Sequence, residues 1–176
     1  QLEPEVMPKK LHWFKWEAYS TWLSGFALMT VMYYWGADQY LIDPSKMDLT
    51  QLQAIGISLA FLVGGFVFYE ALVKSPLQNY PKVFGGILFS GLIFAAYALG
   101  EIFSDRAAYL HVGALIGTIM AGNVFFGIMP AQRELVRAIE AGEKPSAAPA
   151  AFAKLRSTHN NYFTLPLLFI MISNHY

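Results

Sequence analysis

The sequence contains no cysteine in its 176 residues. This excludes disulfide bonds, thiolate metal sites, iron–sulfur clusters and a covalently attached c-type haem within the chain. Charged residues are also scarce, at 14% against the roughly 25% of ordinary soluble domains. Twelve Lys and Arg balance twelve Asp and Glu, so no net charge favours nucleic acid as a partner. The HExxH, P-loop and GxSxG motifs of common soluble enzymes are missing too.

Long apolar stretches take the place of charge. The chain is 56% hydrophobic, and its mean hydropathy is +0.40. Four stretches, at about residues 18–35, 52–73, 83–103 and 107–129, approach the roughly 20 residues that cross a bilayer as a helix. A fifth begins near Tyr162 and is still apolar at Ile172. We therefore predict an all-α fold, a polytopic transmembrane helix bundle of about five spans that forms one integral-membrane domain over residues 1–176.

Basic residues divide unevenly between the two sides of these predicted spans. Ten of the twelve Lys and Arg fall on the side that holds the N-terminus and the loop of about residues 131–158, and only Lys46 and Arg106 fall on the other. The positive-inside rule makes the first side cytoplasmic. Within the loop, a helical stretch is predicted after Pro130 and a semi-rigid linker at residues 144–154. The start at Gln1 and the unfinished fifth span predict a piece of a longer chain.

Small residues recur every four positions in two of the predicted spans. They are Gly56, Ala60 and Gly64 in the second span, and Gly113, Gly117 and Ala121 in the fourth. Such spacing lets two helix backbones approach closely in lipid. We predict a packing role for both stripes and no chemistry.

On the outer side, Glu101, His111 and His175 are predicted to share one membrane depth. Ionisable groups within a bilayer usually face the bundle interior, and neutral imidazole is a common ligand of haem iron and other metals. His111 and His175 are therefore candidate ligands of a b-type haem or another metal, and with Glu101 they form a candidate catalytic group. The alternative is that each histidine hydrogen-bonds across the bundle.

A second set of polar residues is predicted at the inner side. Its members are His12, Glu17, Glu70, Asn123, His159, Asn160 and Asn161. Glu70 precedes Lys74 by four residues, so an i, i+4 ion pair at the membrane surface explains it as well as a function does. His12 lies among aromatic residues, where an interfacial anchor is the commoner role.

Three long strings resemble one family. They are LHWFKWEAYSTWLSGFALMTVMYYWGADQYLIDP, HVGALIGTIMAGNVFFGIMPAQRELVRAIEAGEKP and STHNNYFTLPLLFIMISNHY. They look like the bacterial membrane-bound urate hydroxylase family, that is, the urate oxidase N-terminal membrane domain, which is often fused to a C-terminal c-type cytochrome. The resemblance implies oxidation of urate to 5-hydroxyisourate in purine breakdown. It also implies a bacterial inner membrane, and electron transfer to a cytochrome c domain or respiratory-chain acceptor outside this chain.

Urate is a planar anion, so its site should offer NH donors and aromatic surface. Arg156, Asn160 and Asn161 are the inner candidates for substrate binding, with Tyr162 beside them. Asn174 and Tyr176 are the outer candidates, and the sequence leaves the side open. Two other functions stay open as well: a non-catalytic b-haem subunit that transfers electrons for a partner enzyme, and a transporter or purely structural membrane module.

Overall fold

A computed structural model describes residues 14–173, except for the side chain of Phe14. The predicted site residues His12, Asn174 and His175, and Tyr176, lie outside the described residues. The described part is all-α, as predicted, and contains six α-helices. These are α1 (Phe14–Met29), α2 (Gln51–Lys74), α3 (Pro81–Ile102), α4 (Asp105–Gly122), α5 (Met129–Glu140) and α6 (Ala147–Ser173).

Three helices are long and apolar enough to cross a membrane. They are α2, α3 and the continuous helical stretch Asp105–Glu140, in which a π-helical segment, Asn123–Ile128, joins α4 to α5. All three begin within two residues of the predicted second, third and fourth spans. The continuous runs of apolar residues made these spans readable from the sequence.

The connection between α1 and α2 is held in place by backbone and side-chain contacts. Two π-helical segments, Thr30–Tyr34 and Ala37–Leu41, extend the first helix, and an antiparallel bridge then joins Ile42 to Phe103. The Lys46 ammonium donates to the carbonyls of Gly100 and Phe103, at 2.9 and 3.1 Å, and pairs with Asp105. Lys46 therefore satisfies carbonyls that the end of α3 leaves without helical partners.

The predicted inner loop of residues 131–158 is mostly helical. Helix α5 confirms the polar helical stretch after Pro130, but α6 already begins at Ala147, well before the predicted start near Tyr162. The prediction of a linker at residues 144–154 is therefore wrong beyond Ser146. Pro149 is compatible with helix because it lies in the first turn, where its missing N–H needs no partner. The alanines around it are strong helix formers.

Helix α4 is the centre of the bundle and packs against α1, α2, α3 and α6. Gly113 marks its close approach to α6, because a Cβ there would lie 2.8 Å from Ile170 Cγ2. The predicted packing role of this stripe is confirmed at Gly113. The stripe in α2 faces away from the described part of the bundle, since Gly56, Ala60 and Gly64 are all exposed, so its packing role stays a prediction. A spacing of four residues exists on every face of a helix, so it cannot identify the buried one.

Candidate functional site

Six polar side chains from three parts of the fold meet on the side of the bundle that is rich in Lys and Arg. We call them the inner polar cluster, and they are Tyr69 and Glu70 of α2, Asn123 of the π-helical segment, and Arg156, His159 and Asn160 of α6. Five of the six were named from sequence as polar residues of the inner side, namely Glu70, Asn123, Arg156, His159 and Asn160. The structure joins them through hydrogen bonds and ion pairs, and Tyr69 is the member that was not named.

Arg156 is the most deeply buried cation of the described residues, with 1% of its side chain exposed. Its guanidinium contacts both carboxylate oxygens of Glu70 at 2.8 Å, and one of its terminal nitrogens donates to Asn123 Oδ1 at 3.1 Å. The guanidinium also lies 4.6 Å from the centre of the Phe152 ring. Lys74 pairs with the same Glu70 carboxylate at 2.8 Å, which confirms the predicted i, i+4 pair.

Hydrogen bonds continue from Asn123 to the other members of the cluster. The Asn123 amide donates to the Tyr69 hydroxyl at 3.0 Å and to Asn160 Oδ1 at 2.9 Å, while Asn160 donates to the Met120 carbonyl at 3.0 Å. Tyr69 Oη lies 2.9 Å from His159 Nδ1. Since the Asn123 amide already donates to Tyr69, the hydroxyl hydrogen is left to donate to His159.

The π-helical segment positions the Arg156 side chain through Gly127 and Asn123. A Cβ at Gly127 would lie 2.1 Å from Arg156 Cδ and 2.7 Å from Nε, so only glycine lets the guanidinium pass at this point. Arg156 Nε itself has no hydrogen-bond partner within the described chain. Single-turn π segments in α-helices are frequently found at functional sites, and this one brings Asn123 and Gly127 to the same arginine.

Two cations share the single carboxylate of Glu70: the buried Arg156 inside the inner polar cluster, and Lys74 beside the cluster, which is 63% exposed. Arg156 is therefore not the only counter-ion of Glu70. A guanidinium among two carboxamides is suited to an anion with several NH and carbonyl groups, because each amide supplies both donors and an acceptor.

At the other end of the bundle, buried His111 is held by two hydrogen bonds. Nδ1 lies 2.7 Å from the Ala107 carbonyl and Nε2 lies 2.7 Å from Ser58 Oγ, which in turn lies 2.7 Å from Tyr34 Oη. A carbonyl can only accept, so Nδ1 carries the hydrogen and the Ser58 hydroxyl donates to Nε2 of the neutral ring. Tyr34 then donates to Ser58. We call Tyr34, Ser58 and His111 the outer hydrogen-bond chain.

This arrangement does not present His111 as a metal ligand. The Nε2 lone pair is used by Ser58, and the rings of Tyr33 and Phe103 lie 5.9 and 5.3 Å from the imidazole. Among residues 14–173, no three His, Cys, Asp or Glu side chains are grouped so that they would hold a metal ion. An axial haem ligand at His111 would require Ser58 to move away. Since His175 lies outside the described residues, the pairing of His111 with His175 stays a prediction.

The chain matches the family model described as urate oxidase N-terminal over residues 1–176. It belongs to the urate oxidase N-terminal family. No curated protein sequence and no solved structure matches it. The resemblance carried by the three long strings is therefore confirmed at the level of the family, and the family name suggests an oxidoreductase role.

Several predicted site residues of this family member lie apart from both groups. Glu101 is exposed in the last turn of α3 and is not part of the outer hydrogen-bond chain, and Glu17 is exposed near the start of α1. Asn161 and Tyr162 are exposed on the outward face of α6, although Asn160 beside them turns inward. Consecutive helical residues point about 100° apart, and in α6 this rotation turns Asn160 toward Asn123 and leaves Asn161 exposed.

Tyr69, Ser58 and Tyr34 were missed from sequence. Each is a common residue of membrane helices, and none has a charge that would require explanation. The available signal was indirect: Tyr69 adjoins Glu70, and Ser58 lies in an otherwise apolar helix.

Proposed function

We propose that this chain is the membrane part of an enzyme that oxidises urate to 5-hydroxyisourate and passes the electrons to a c-type cytochrome. The observation that carries the proposal is the family match over the whole chain. In this reaction urate and water give 5-hydroxyisourate, two protons and two electrons, and each c-type haem takes up one electron. Because the chain has no cysteine, the attached haem would belong to a domain outside it.

We place the urate site at the inner polar cluster. Urate is a planar anion with NH and carbonyl groups, and the cluster offers a guanidinium, two carboxamides, a phenol and an imidazole that stacks on Phe84 at 4.7 Å. Binding would draw Arg156 from Glu70 to the anion. Lys74 would remain as the partner of Glu70, so no carboxylate would be left unpaired in a buried position.

The proposed setting is a bacterial inner membrane that the chain crosses five times. In addition to the three helices that are long and apolar enough to cross, α1 with its π-helical extension and α6 would provide the first and fifth spans. Both carry large exposed apolar side chains, among them Leu23, Leu28, Leu165 and Phe169. Such side chains are stable in contact with lipid and unfavourable in contact with water.

Urate-dependent reduction of the cytochrome by the purified full-length protein tests the activity. If the protein neither consumes urate nor reduces cytochrome, the proposed reaction is wrong. To test the site, Asn160→Ala and Arg156→Lys should each raise the KM for urate by about tenfold, the loss expected for one charge-assisted or amide hydrogen bond. Lys154→Gln, a change at an exposed cation of the same helix, is the matched control and should leave KM unchanged.

A b-type haem between His111 and His175 remains the second candidate. The specific observation in its favour is that the Ala107 carbonyl accepts from His111 Nδ1, which is the support that histidine ligands usually have. The Ser58 contact at Nε2 opposes it. A Soret band in the protein without its cytochrome domain, lost in both His111→Ala and His175→Ala, would favour this function. A folded sample without the band would exclude it.

A further inference from the structure

A cavity of about 360 Å³ opens on the side of the bundle between α1, α2 and the end of α4. Its size is within the ~300–1,000 Å³ of ordinary ligand sites. We call it the aromatic cleft, because its wall includes Trp16, Tyr19, Trp22, Phe66, Phe125 and Phe126. It does not include any member of the inner polar cluster.

The aromatic cleft is unsuited to a polar ligand. The hydroxyl of Thr118 lies on its wall, but it already accepts from Trp22 Nε1 at 3.1 Å and donates to the Ala114 carbonyl at 2.7 Å. Urate in this cleft would exchange its hydrogen bonds with water for apolar contacts, which is costly. The chemistry of the wall therefore selects a hydrocarbon.

The direction of the cleft fits a lipid chain that enters from the membrane surface. Along α1 it extends from Trp16, in the first turn, to Leu23, a distance of about 10 Å at 1.5 Å per residue. At the Trp16 end lies Lys15, whose ammonium is 5.7 Å from the centre of the Trp16 ring. A cation at one end of the apolar aromatic cleft complements a phospholipid, whose phosphate would contact the cation while its acyl chain occupies the cleft.

We propose that the aromatic cleft binds one anionic phospholipid from the membrane leaflet on the Lys- and Arg-rich side. One acyl chain lies along Trp16 to Leu23 and the phosphate lies beside Lys15. The lipid fills the space between α1 and the π-helical segment, where Phe125 and Phe126 are more than half exposed, at 55% and 59%. This binding is independent of urate oxidation.

Lipid retention by the full-length protein tests the proposal. The protein is delipidated in detergent and titrated with dioleoyl-phosphatidylglycerol or dioleoyl-phosphatidylcholine, and native mass spectrometry measures the bound fraction. The protein should retain one molecule of phosphatidylglycerol in preference to phosphatidylcholine. Ala121→Leu adds carbon atoms to the cleft wall and should lower this retention about fivefold. Ala96→Leu adds the same atoms to an exposed face of α3 and should leave it unchanged.

A second pair of variants tests the position of the headgroup. Lys15→Gln should remove most of the preference for phosphatidylglycerol over phosphatidylcholine, whereas Lys82→Gln, at an exposed cation in the first turn of α3, should preserve it. Equal retention by the Ala121→Leu and Ala96→Leu proteins would overturn the proposal. So would retention of ubiquinone in place of phospholipid, or a crosslink showing that residues 1–13 fill the cleft.

Discussion

At the scale of single residues, the buried Arg156–Glu70 ion pair should make a large contribution to stability. Arg156→Met leaves Glu70, whose side chain is only 19% exposed, with Lys74 as its remaining partner. Removal of one member of a buried ion pair costs roughly 3–5 kcal/mol. Because Lys74 still pairs with Glu70, we expect Arg156→Met to lower the free energy of unfolding by about 3 kcal/mol. Denaturant unfolding of the purified protein in mixed micelles measures the loss.

The matched control removes the other cation from the same carboxylate. Lys74 is 63% exposed, and exposed ion pairs contribute about 0–1 kcal/mol. Lys74→Gln should therefore change the free energy of unfolding by less than about 1 kcal/mol. Equal losses in the two variants would contradict a structural role for the buried position of Arg156.

The outer hydrogen-bond chain predicts that Ser58→Ala destabilises the protein more than Tyr34→Phe does. The Ser58 hydroxyl donates to His111 and accepts from Tyr34, so Ser58→Ala leaves two buried groups unpaired, His111 Nε2 and the Tyr34 hydroxyl. We expect a loss of about 2–4 kcal/mol, since each orphaned group costs ~1–3 kcal/mol. Tyr34→Phe removes only the terminal donor and should cost about 1 kcal/mol.

A double-mutant cycle checks whether Tyr34 and Ser58 are coupled. In the Tyr34→Phe background, Ser58→Ala leaves one orphaned group instead of two, so its cost should fall by about 1 kcal/mol. Strict additivity of the two unfolding free energies would show that the Tyr34–Ser58 hydrogen bond does not contribute to stability.

Charge made some of these residues predictable from sequence, and its absence hid others. Glu70 and Lys74 could be paired because the i, i+4 spacing is local. Arg156 was assigned to a loop, because nothing in its neighbourhood reveals that α6 starts at Ala147 and turns this arginine toward α2. Tyr69 and Ser58 became site residues only through contacts with residues 53 or more positions away.

At the scale of elements, the π-helical segment and α6 depend on a glycine. In Gly127→Ala the new Cβ would lie 2.1 Å from Arg156 Cδ, so the guanidinium must leave its place. We expect a loss of stability of about 1–3 kcal/mol, as for overpacking, together with a higher KM for urate. Unfolding and steady-state kinetics of the full-length protein measure the two effects.

Gly117→Ala is the control in the preceding helix. Its Cβ would meet only Leu167 Cδ1, at 4.0 Å, an ordinary contact. Because alanine favours a helix over glycine by about 0.5–1 kcal/mol, this variant should be as stable as the parent or more so. A destabilised Gly117→Ala protein would show that small residues along all of α4 are needed for packing, as the sequence stripe alone predicts.

At the scale of the whole molecule, the uneven distribution of Lys and Arg persists after Arg156 is removed from the count of loop residues. Arg156, counted among the loop cations in the sequence, is buried in the bundle. Nine Lys and Arg then remain on the side predicted to be inner, against Lys46 and Arg106 on the opposite side. The three long apolar helices could be predicted from sequence because apolar length is a local property. The depth and partners of each polar side chain could not, since they depend on helix rotation.

The absence of cysteine from this chain makes its topology directly measurable. Ser45→Cys and Ser146→Cys lie on either side of the three helices that are long and apolar enough to cross a membrane. An odd number of crossings places them on opposite sides. A membrane-impermeant maleimide applied to intact spheroplasts should label Ser45→Cys, and label Ser146→Cys only after permeabilisation, because cytoplasmic loops carry the positive charge. Lys10→Cys decides whether α1 crosses as well: labelling that follows Ser146→Cys supports a crossing by α1 in addition to the three long helices, and labelling that follows Ser45→Cys would leave α1 on the outer surface.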